Sequence, residues 1–169
     1  MANPKVVKTL RLGVLAMATQ LPRTANLYDH DYFQWLETTA NHLKNRDFEH
    51  LDLENLIEEI ETLGRSEKRE LESRLTILLM HLLKYKYQSS KRSNSWLFTI
   101  REQRLRILKS FKDSPSLKNY FQNIFSETYS DARALAADET GLTVDKFPKD
   151  CPFNIELVLN LDWLPKAQD

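Results

Sequence analysis

Apolar residues recur every three or four positions along most of the chain, and this spacing is typical of helices that bury one face. The clearest stripe follows Asp52, a candidate N-cap, and consists of Leu53, Leu56, Ile57, Ile60 and Leu63. Residues 71–85 are apolar nearly all round, so they are predicted to form the central helix. The pattern predicts an all-α protein, an up-and-down bundle of about five helices with a C-terminal tail packed across it.

Capping residues and glycines set the predicted helix ends. An N-cap is usually Ser, Thr, Asp or Asn, and a left-handed C-cap is usually Gly. Gly64 is expected to kink or end the second helix, and Gly141 is expected to end the fifth. A short helix is expected in the tail around residues 153–160. The expected helix starts are Asp29, Asp52, Ser66, Trp96 and the pair Ser114–Pro115.

Composition limits the kinds of site that the chain can contain. The chain has 169 residues, and residues 26–169 are predicted to form a single helical domain. Cys151 is the only cysteine, which excludes an internal disulfide and a CxxC redox or zinc site, and we expect a cytoplasmic location. The three glycines do not form a Rossmann or P-loop pattern. No apolar run approaches the ~18 residues of a membrane span.

The first residues of the chain are interpreted separately. Residues 1–25 are predicted to be a leader that is either disordered or lies upstream of a true start at Met17. Two alternatives stay open, because Lys5, Lys8 and Arg11 precede a short apolar stretch. This arrangement resembles a weak secretory signal, and it would also suit an amphipathic surface anchor.

The formal net charge is zero, but the charges are unevenly distributed along the chain. Residues 47–72 carry ten acidic and three basic side chains, whereas residues 84–112 carry nine basic and one acidic. Neighbouring helices of opposite sign can pair with each other, and this is the favoured interpretation. The alternative is that residues 84–112 keep a basic face for a nucleic-acid backbone.

Several marked segments occur in order along the chain: LYDHDYFQWLE, LDLENLIEEIETLGRSEKREL, LLMHLLKYKYQ, SWLFTIREQR, YSDARALAADETGL and FPKDCPF. Together they resemble the family called domain of unknown function 29, which is common in cyanobacteria and other bacteria. The resemblance covers about residues 27–165. It implies an all-helical bundle and no known activity, cofactor or catalytic residue. Family members reach the LYD segment soon after their start, which favours Met17 as the start here. Phe153 departs slightly from the Trp or Tyr that the family often has.

Arg104 is the least expected residue, because it lies within the apolar stripe of the fourth helix. An unpaired buried guanidinium is costly, so a salt bridge to Glu54, Glu58 or Glu61 is the favoured interpretation. The alternatives are an anion-binding pocket, in which Arg101 could share the ligand, and a rotated helix that lets Arg104 reach solvent. His81 lies in an apolar run and is expected to be a satisfied core or boundary histidine. In an enzyme, His81 or Glu58 would handle a proton.

No metal or cofactor is expected. Paired carboxylates can hold metals in helical bundles, but the Glu-x-x-His motif of such sites is absent, and His30, His42 and His50 lack ligand spacing. Cys151 has no neighbour in sequence that would lower the pKa of its thiol, so a nucleophile is not expected.

Two further features suggest contacts at the surface. Trp96 follows a polar, basic stretch, so it either anchors a helix start in the core or forms a basic-aromatic edge for nucleic acid or phosphate. Asp138 and Glu139 lie near a helix C-terminus, where acids are unfavourable, which indicates either a cationic partner such as Lys91 or Arg92 or a functional group.

The sequence favours a non-enzymatic binding or interaction protein with a surface site, expected to be basic, whose partner is an unknown protein or anionic ligand. The alternatives are a small enzyme or ligand-binding protein with an anion site around Arg104, and a nucleic-acid-binding protein that uses residues 84–112.

Overall fold

The structure, a computed structural model, describes the backbone of residues 24–168 and the side chains from Leu27 onward. The leader predicted for residues 1–25 falls almost entirely outside the described residues, and so does the predicted start at Met17. The described part contains helices and no strand, so the all-α prediction is confirmed. The helices are α1 Thr24–His30, α2 Tyr32–Asn45, α3 Leu53–Tyr87, α4 Asn94–Asp113, α5 Leu117–Thr140 and α6 Ile155–Val158.

The described part of the chain divides into two compact units, with the boundary between Glu59 and Ile60, and α3 contributes residues to both. In the first unit, Asp31 caps α2 by accepting a hydrogen bond from the Gln34 backbone N–H at 3.0 Å. Trp35 is fully buried, and its indole N–H donates to Asp52 at 3.3 Å. Asp52 also accepts from the backbone N–H of Asn55, as the sequence predicted for a cap.

In the second unit, the helices run up, down and up. Arg74 on α3 donates to Gln103 on α4 at 3.5 Å, and Lys84 lies 4.6 Å from the Trp96 ring, so α4 runs antiparallel to α3. Side chains from all three helices and from the tail form the core. Its fully buried members include Leu75, Leu78, Leu82, Ile100, Ile107, Ala132 and Ala136.

The C-terminal tail packs onto the core of the second unit, as the sequence predicted. Phe147, Phe153 and Val158 are buried. The Tyr129 hydroxyl donates to the Pro148 carbonyl at 2.7 Å, and the Arg133 Nε donates to the Phe147 carbonyl at 2.9 Å. These bonds satisfy carbonyl groups of an irregular segment that has few backbone partners of its own.

The predicted end of a helix at Gly64 is wrong, because α3 is a single helix of 35 residues. One glycine in a helix interior costs only about 1 kcal/mol, and the strong helix formers on both sides outweigh this cost. Ser66 therefore lies inside α3 and starts no new helix. Gly141, by contrast, ends α5 with a φ of 71°, in the left-handed conformation that the sequence predicted.

Three predicted helix starts are shifted. Helix α4 begins at Asn94, with Ser93 as its N-cap, and not at Trp96. The cap of α2 is Asp31 and not Asp29, because α1 already occupies residues 24–30. Helix α5 begins at Leu117, since the residues from Ser114 to Leu117 first form a turn in which the Leu117 N–H donates to the Ser114 carbonyl at 3.0 Å. In the described part of the chain, no helix is both long enough and apolar enough to cross a membrane.

Candidate functional site

Arg104 is buried in the second unit, with 1% of its surface exposed. Its Nε donates to the Val158 backbone carbonyl at 2.7 Å, and its guanidinium lies 6.0 Å from the Trp163 ring. The buried Nη2 has no hydrogen-bond partner among the residues that the structure describes. Burial lowers the pKa of Arg104 to about 10. The hydrogen-bond partner is thus a backbone carbonyl of the tail, where the favoured interpretation had expected a carboxylate.

The other candidate site residues have different surroundings. Arg101 is exposed, although it lies only three positions before Arg104 on α4. The Nδ1–H of His81 donates to the Ile77 carbonyl at 2.9 Å, and burial lowers the pKa of this half-buried histidine. Glu58 is exposed and belongs to the first unit. Burial raises the pKa of the Cys151 thiol to about 11.

Lys84 is a second buried cation, and the sequence gave no sign of its burial. Its ammonium donates to the Glu139 carboxylate and lies 4.6 Å from the Trp96 ring. The cationic partner of Glu139 is therefore Lys84 of α3, and not the Lys91 or Arg92 that the sequence had suggested. The pairing also removes one cation from the basic surface that residues 84–112 were expected to offer.

The first unit exposes large apolar side chains on two helices. On α2, the exposed fraction is 69% for Phe33, 41% for Leu36 and 43% for Leu43, and these residues follow helical spacing. On α3, it is 53% for Leu53 and 55% for Ile57. We call these five exposed residues, which lie on two helices of the same unit, the first-unit apolar surface. Sequence reasoning had identified the α3 stripe as a buried face, which is wrong for these first turns.

Exposure continues along the same stripe of α3 into the second unit. Ile60 and Leu63 are 59% and 65% exposed, whereas Leu71 and Leu75, which continue the stripe at helical spacing, are buried in the core. The stripe is therefore covered only where α4 and α5 supply core residues. A sequence stripe shows which face of a helix is apolar, but it does not show whether the chain covers that face.

Aromatic rings next to the apolar surface hold the start of α3 in place. The Tyr28 hydroxyl donates to Glu59 at 2.6 Å, and the Tyr32 hydroxyl donates to the same carboxylate at 2.9 Å. The hydrogen bond to Glu59 is the main cause that raises the pKa of Tyr28 to about 12. The Tyr28 and Trp35 rings meet edge to face at 4.9 Å. These contacts hold α2 and the first turns of α3 together within the first unit.

Sequence reasoning missed one cluster of metal-binding residue types. His42, Asp47 and His50 come together at the end of α2, and each offers one ligand atom within 4.8 Å of the others. The Nδ1 of His42 donates to Asp47 at 2.9 Å, and the Nδ1 of His50 donates to the other carboxylate oxygen at 2.7 Å. Hydrogen bonding to both imidazoles lowers the pKa of Asp47.

The cluster forms because the chain reverses at Arg46, whose φ of 57° is left-handed. The Asp47 backbone N–H then donates to the His42 carbonyl at 2.9 Å, which closes a Schellman-type turn and returns the Asp47 side chain to the helix. A left-handed C-cap is usually Gly or Asn, so an arginine at this position gave no signal in the sequence.

The fold and these clusters define a small all-α protein with a helical core unit and an acidic N-terminal unit that bears exposed apolar residues. The family described as domain of unknown function DUF29 matches residues 27–164. The match covers most of the chain, so the chain belongs to this family, as its sequence motifs indicated. No curated protein and no solved structure matches the chain. The family description assigns no activity, so function rests on the geometry of the site.

Proposed function

We propose that the protein is a non-enzymatic interaction protein whose first unit binds a basic amphipathic helix of a partner protein. The observation that carries the proposal is the exposure of the first-unit apolar surface. Large apolar side chains left exposed on a folded unit are typical of protein interaction sites. Covering one such side chain contributes about 1.5–3 kcal/mol, so a few of them can offset part of the cost of association.

The charge of the first unit supports a basic partner. Residues 27–59 contain nine Asp and Glu and two Lys and Arg, a formal charge of 2 − 9 = −7 with histidines neutral. The exposed Glu54 and Glu58 lie on α3 beside Leu53 and Ile57. An amphipathic helix that docks its apolar face here would place its polar face near these carboxylates. Lysines and arginines on that face would favour binding, and acids would oppose it.

This location differs from the basic site that the sequence favoured. The two alternative functions have weaker support. An anion site at Arg104 would need a guanidinium that an anion can reach, but the side chain is 1% exposed and its Nε already bonds the tail. Nucleic-acid binding by residues 84–112 is weakened as an alternative, because two of their cations already pair with carboxylates. Lys84 pairs with Glu139, and Arg106 pairs with Glu102 at 2.8 Å.

A peptide pair tests the proposal. The first is a labelled synthetic helix of about 18 residues with leucines on one face and lysines on the other. The second replaces every lysine with glutamate. Fluorescence anisotropy should show saturable binding of the lysine peptide and none of the glutamate peptide. Equal binding of both peptides, or binding of neither, would contradict the proposal.

Two phenylalanines provide a matched pair of variants. Phe33 and Phe98 are 69% and 68% exposed, and only Phe33 belongs to the first-unit apolar surface. Phe33→Asp should weaken binding of the lysine peptide by about tenfold or more, the effect of losing one important apolar contact. Phe98→Asp should leave binding unchanged. A similar loss in both variants would mean that the peptide binds apolar surface without specificity.

A further inference from the structure

The turn at the end of α2 brings together three side chains whose chemistry is that of a transition-metal site. His42 belongs to the last turn of α2, Asp47 precedes the short 3-10 helix Phe48–His50, and His50 is the last residue of that helix. Two imidazole nitrogens and a carboxylate are the donors that zinc prefers, whereas calcium and magnesium need oxygen ligands throughout. The set is independent of the first-unit apolar surface.

The distances fit a single ion. Ligand atoms around tetrahedral zinc lie on the order of 3.3 Å apart, because zinc–nitrogen bonds are about 2.0–2.1 Å long. Here, one carboxylate oxygen of Asp47 lies 2.9 Å from the Nδ1 of His42, and the other lies 2.7 Å from the Nδ1 of His50. The two rings are stacked with centroids 5.8 Å apart and planes 24° from parallel. Small rotations of the side chains would therefore place both nitrogens and the carboxylate around one ion.

The site is also accessible. The side chains of His42, Asp47 and His50 are 23%, 37% and 50% exposed, so an ion can reach the cluster from solvent. Both histidines now donate an Nδ1–H to the same carboxylate. A metal ion would bind Nδ1 of each neutral ring in the tautomer that carries the ring's single proton on Nε2. Three protein ligands leave a fourth position open for water or for another ligand.

We propose that His42, Asp47 and His50 form a zinc site in the first unit, with one ion bound per chain. The ion would join the end of α2 to the segment that leads into α3. Binding should therefore stabilise the first unit as well as occupy the three side chains.

The test is calorimetric titration of the untagged full chain with Zn²⁺, accompanied by the absorption spectrum of Co²⁺ as a probe of coordination. One saturable site is expected for Zn²⁺ and none for Mg²⁺. His50→Gln and Asp47→Asn should each weaken Zn²⁺ binding by about tenfold or more, since even outer-shell changes at metal sites cost 10–100-fold. Both variants keep a polar side chain of similar size, and circular dichroism verifies that they remain folded.

Two control variants keep the test decisive. His30→Gln changes a histidine on α1, and Cys151→Ser removes the only thiol of the chain. Neither should alter Zn²⁺ binding. If no saturable binding occurs, if His50→Gln binds as tightly as the wild type, or if Cys151→Ser abolishes binding, the proposed site is wrong.

Discussion

Replacing Arg104 with methionine tests how the buried guanidinium contributes to the fold. Two effects of similar size oppose each other. Removing the charge relieves its desolvation, which in the folded protein lowers the pKa of Arg104 from its usual value to about 10. At about 1.4 kcal/mol per pKa unit, this corresponds to about 3 kcal/mol. The substitution also removes the hydrogen bond to the Val158 carbonyl, and a bond from a charged donor contributes about 1.5–3 kcal/mol.

We therefore expect Arg104→Met to change the free energy of unfolding by no more than about 1 kcal/mol, because methionine fills much of the same volume without charge. Arg104→Ala removes the same charge and also leaves a cavity, so it should destabilise the fold by about 2–5 kcal/mol. Arg101→Met changes an exposed arginine of the same helix and should have an effect within about 0.5 kcal/mol.

The measurement is equilibrium unfolding in urea at neutral pH, with the slope of the transition checked for equality among the variants. A loss of 3–5 kcal/mol in Arg104→Met would refute this account. That is the cost of leaving a buried charge without its partner, and it would mean that Arg104 pairs with an anion. The salt bridge expected from the sequence would then be correct after all.

Three further predictions concern stability. Gly64→Ala should raise stability by about 0.5–1 kcal/mol, because Gly64 is helical and nothing lies within 4 Å of an added Cβ. Gly141→Ala should lower stability by about 1 kcal/mol, because the φ of Gly141 is positive. Equal shifts in the melting temperatures of the two variants would contradict this difference. Glu139→Gln should destabilise the fold by about 1 kcal/mol in urea unfolding, because it leaves the Lys84 ammonium without its carboxylate. The effect is no larger because the Glu139 side chain is half exposed to solvent. An unchanged urea midpoint would mean that the ion pair contributes nothing to stability. Burial lowers the pKa of the His81 imidazole, so on acidification the unfolded state protonates this imidazole before the folded state does, and stability should fall as the pH drops below 6.5. This loss of stability should be smaller in His81→Gln. An identical fall in stability below pH 6.5 in both proteins would contradict the prediction.

The helices of the second unit were well predicted from the sequence, because their periodic apolar residues are the residues that the structure buries. Leu75, Leu78 and Leu82 lie in residues 71–85, which were predicted to form the central helix, and all three are fully buried. Gly141 ended a helix where expected, since the need for a positive φ is local and only glycine meets it easily. At Gly64 the same residue type misled, because a helix interior tolerates glycine at modest cost.

The candidate sites were less predictable from the sequence, for physical reasons. Ile57 repeats the α3 stripe as regularly as Leu75, yet only Leu75 has core residues packed against it. Coverage depends on tertiary packing, which periodicity does not contain. His42 and His50 are eight positions apart, and they meet only because Arg46 takes a left-handed conformation. Ligand spacing read along a straight helix could not reveal that reversal.

Nuclear magnetic resonance with labelled leucine and isoleucine methyl groups is the most direct test of the proposed interaction surface. The lysine peptide is added to the full chain, and the shifts of Leu36, Leu53 and Ile57 are followed, with the similarly exposed Leu135 of α5 as the internal control. Our account predicts shifts for the three first-unit residues that saturate together, and none for Leu135. Shifts concentrated in residues 84–112, or spread evenly over exposed methyl groups, would contradict it.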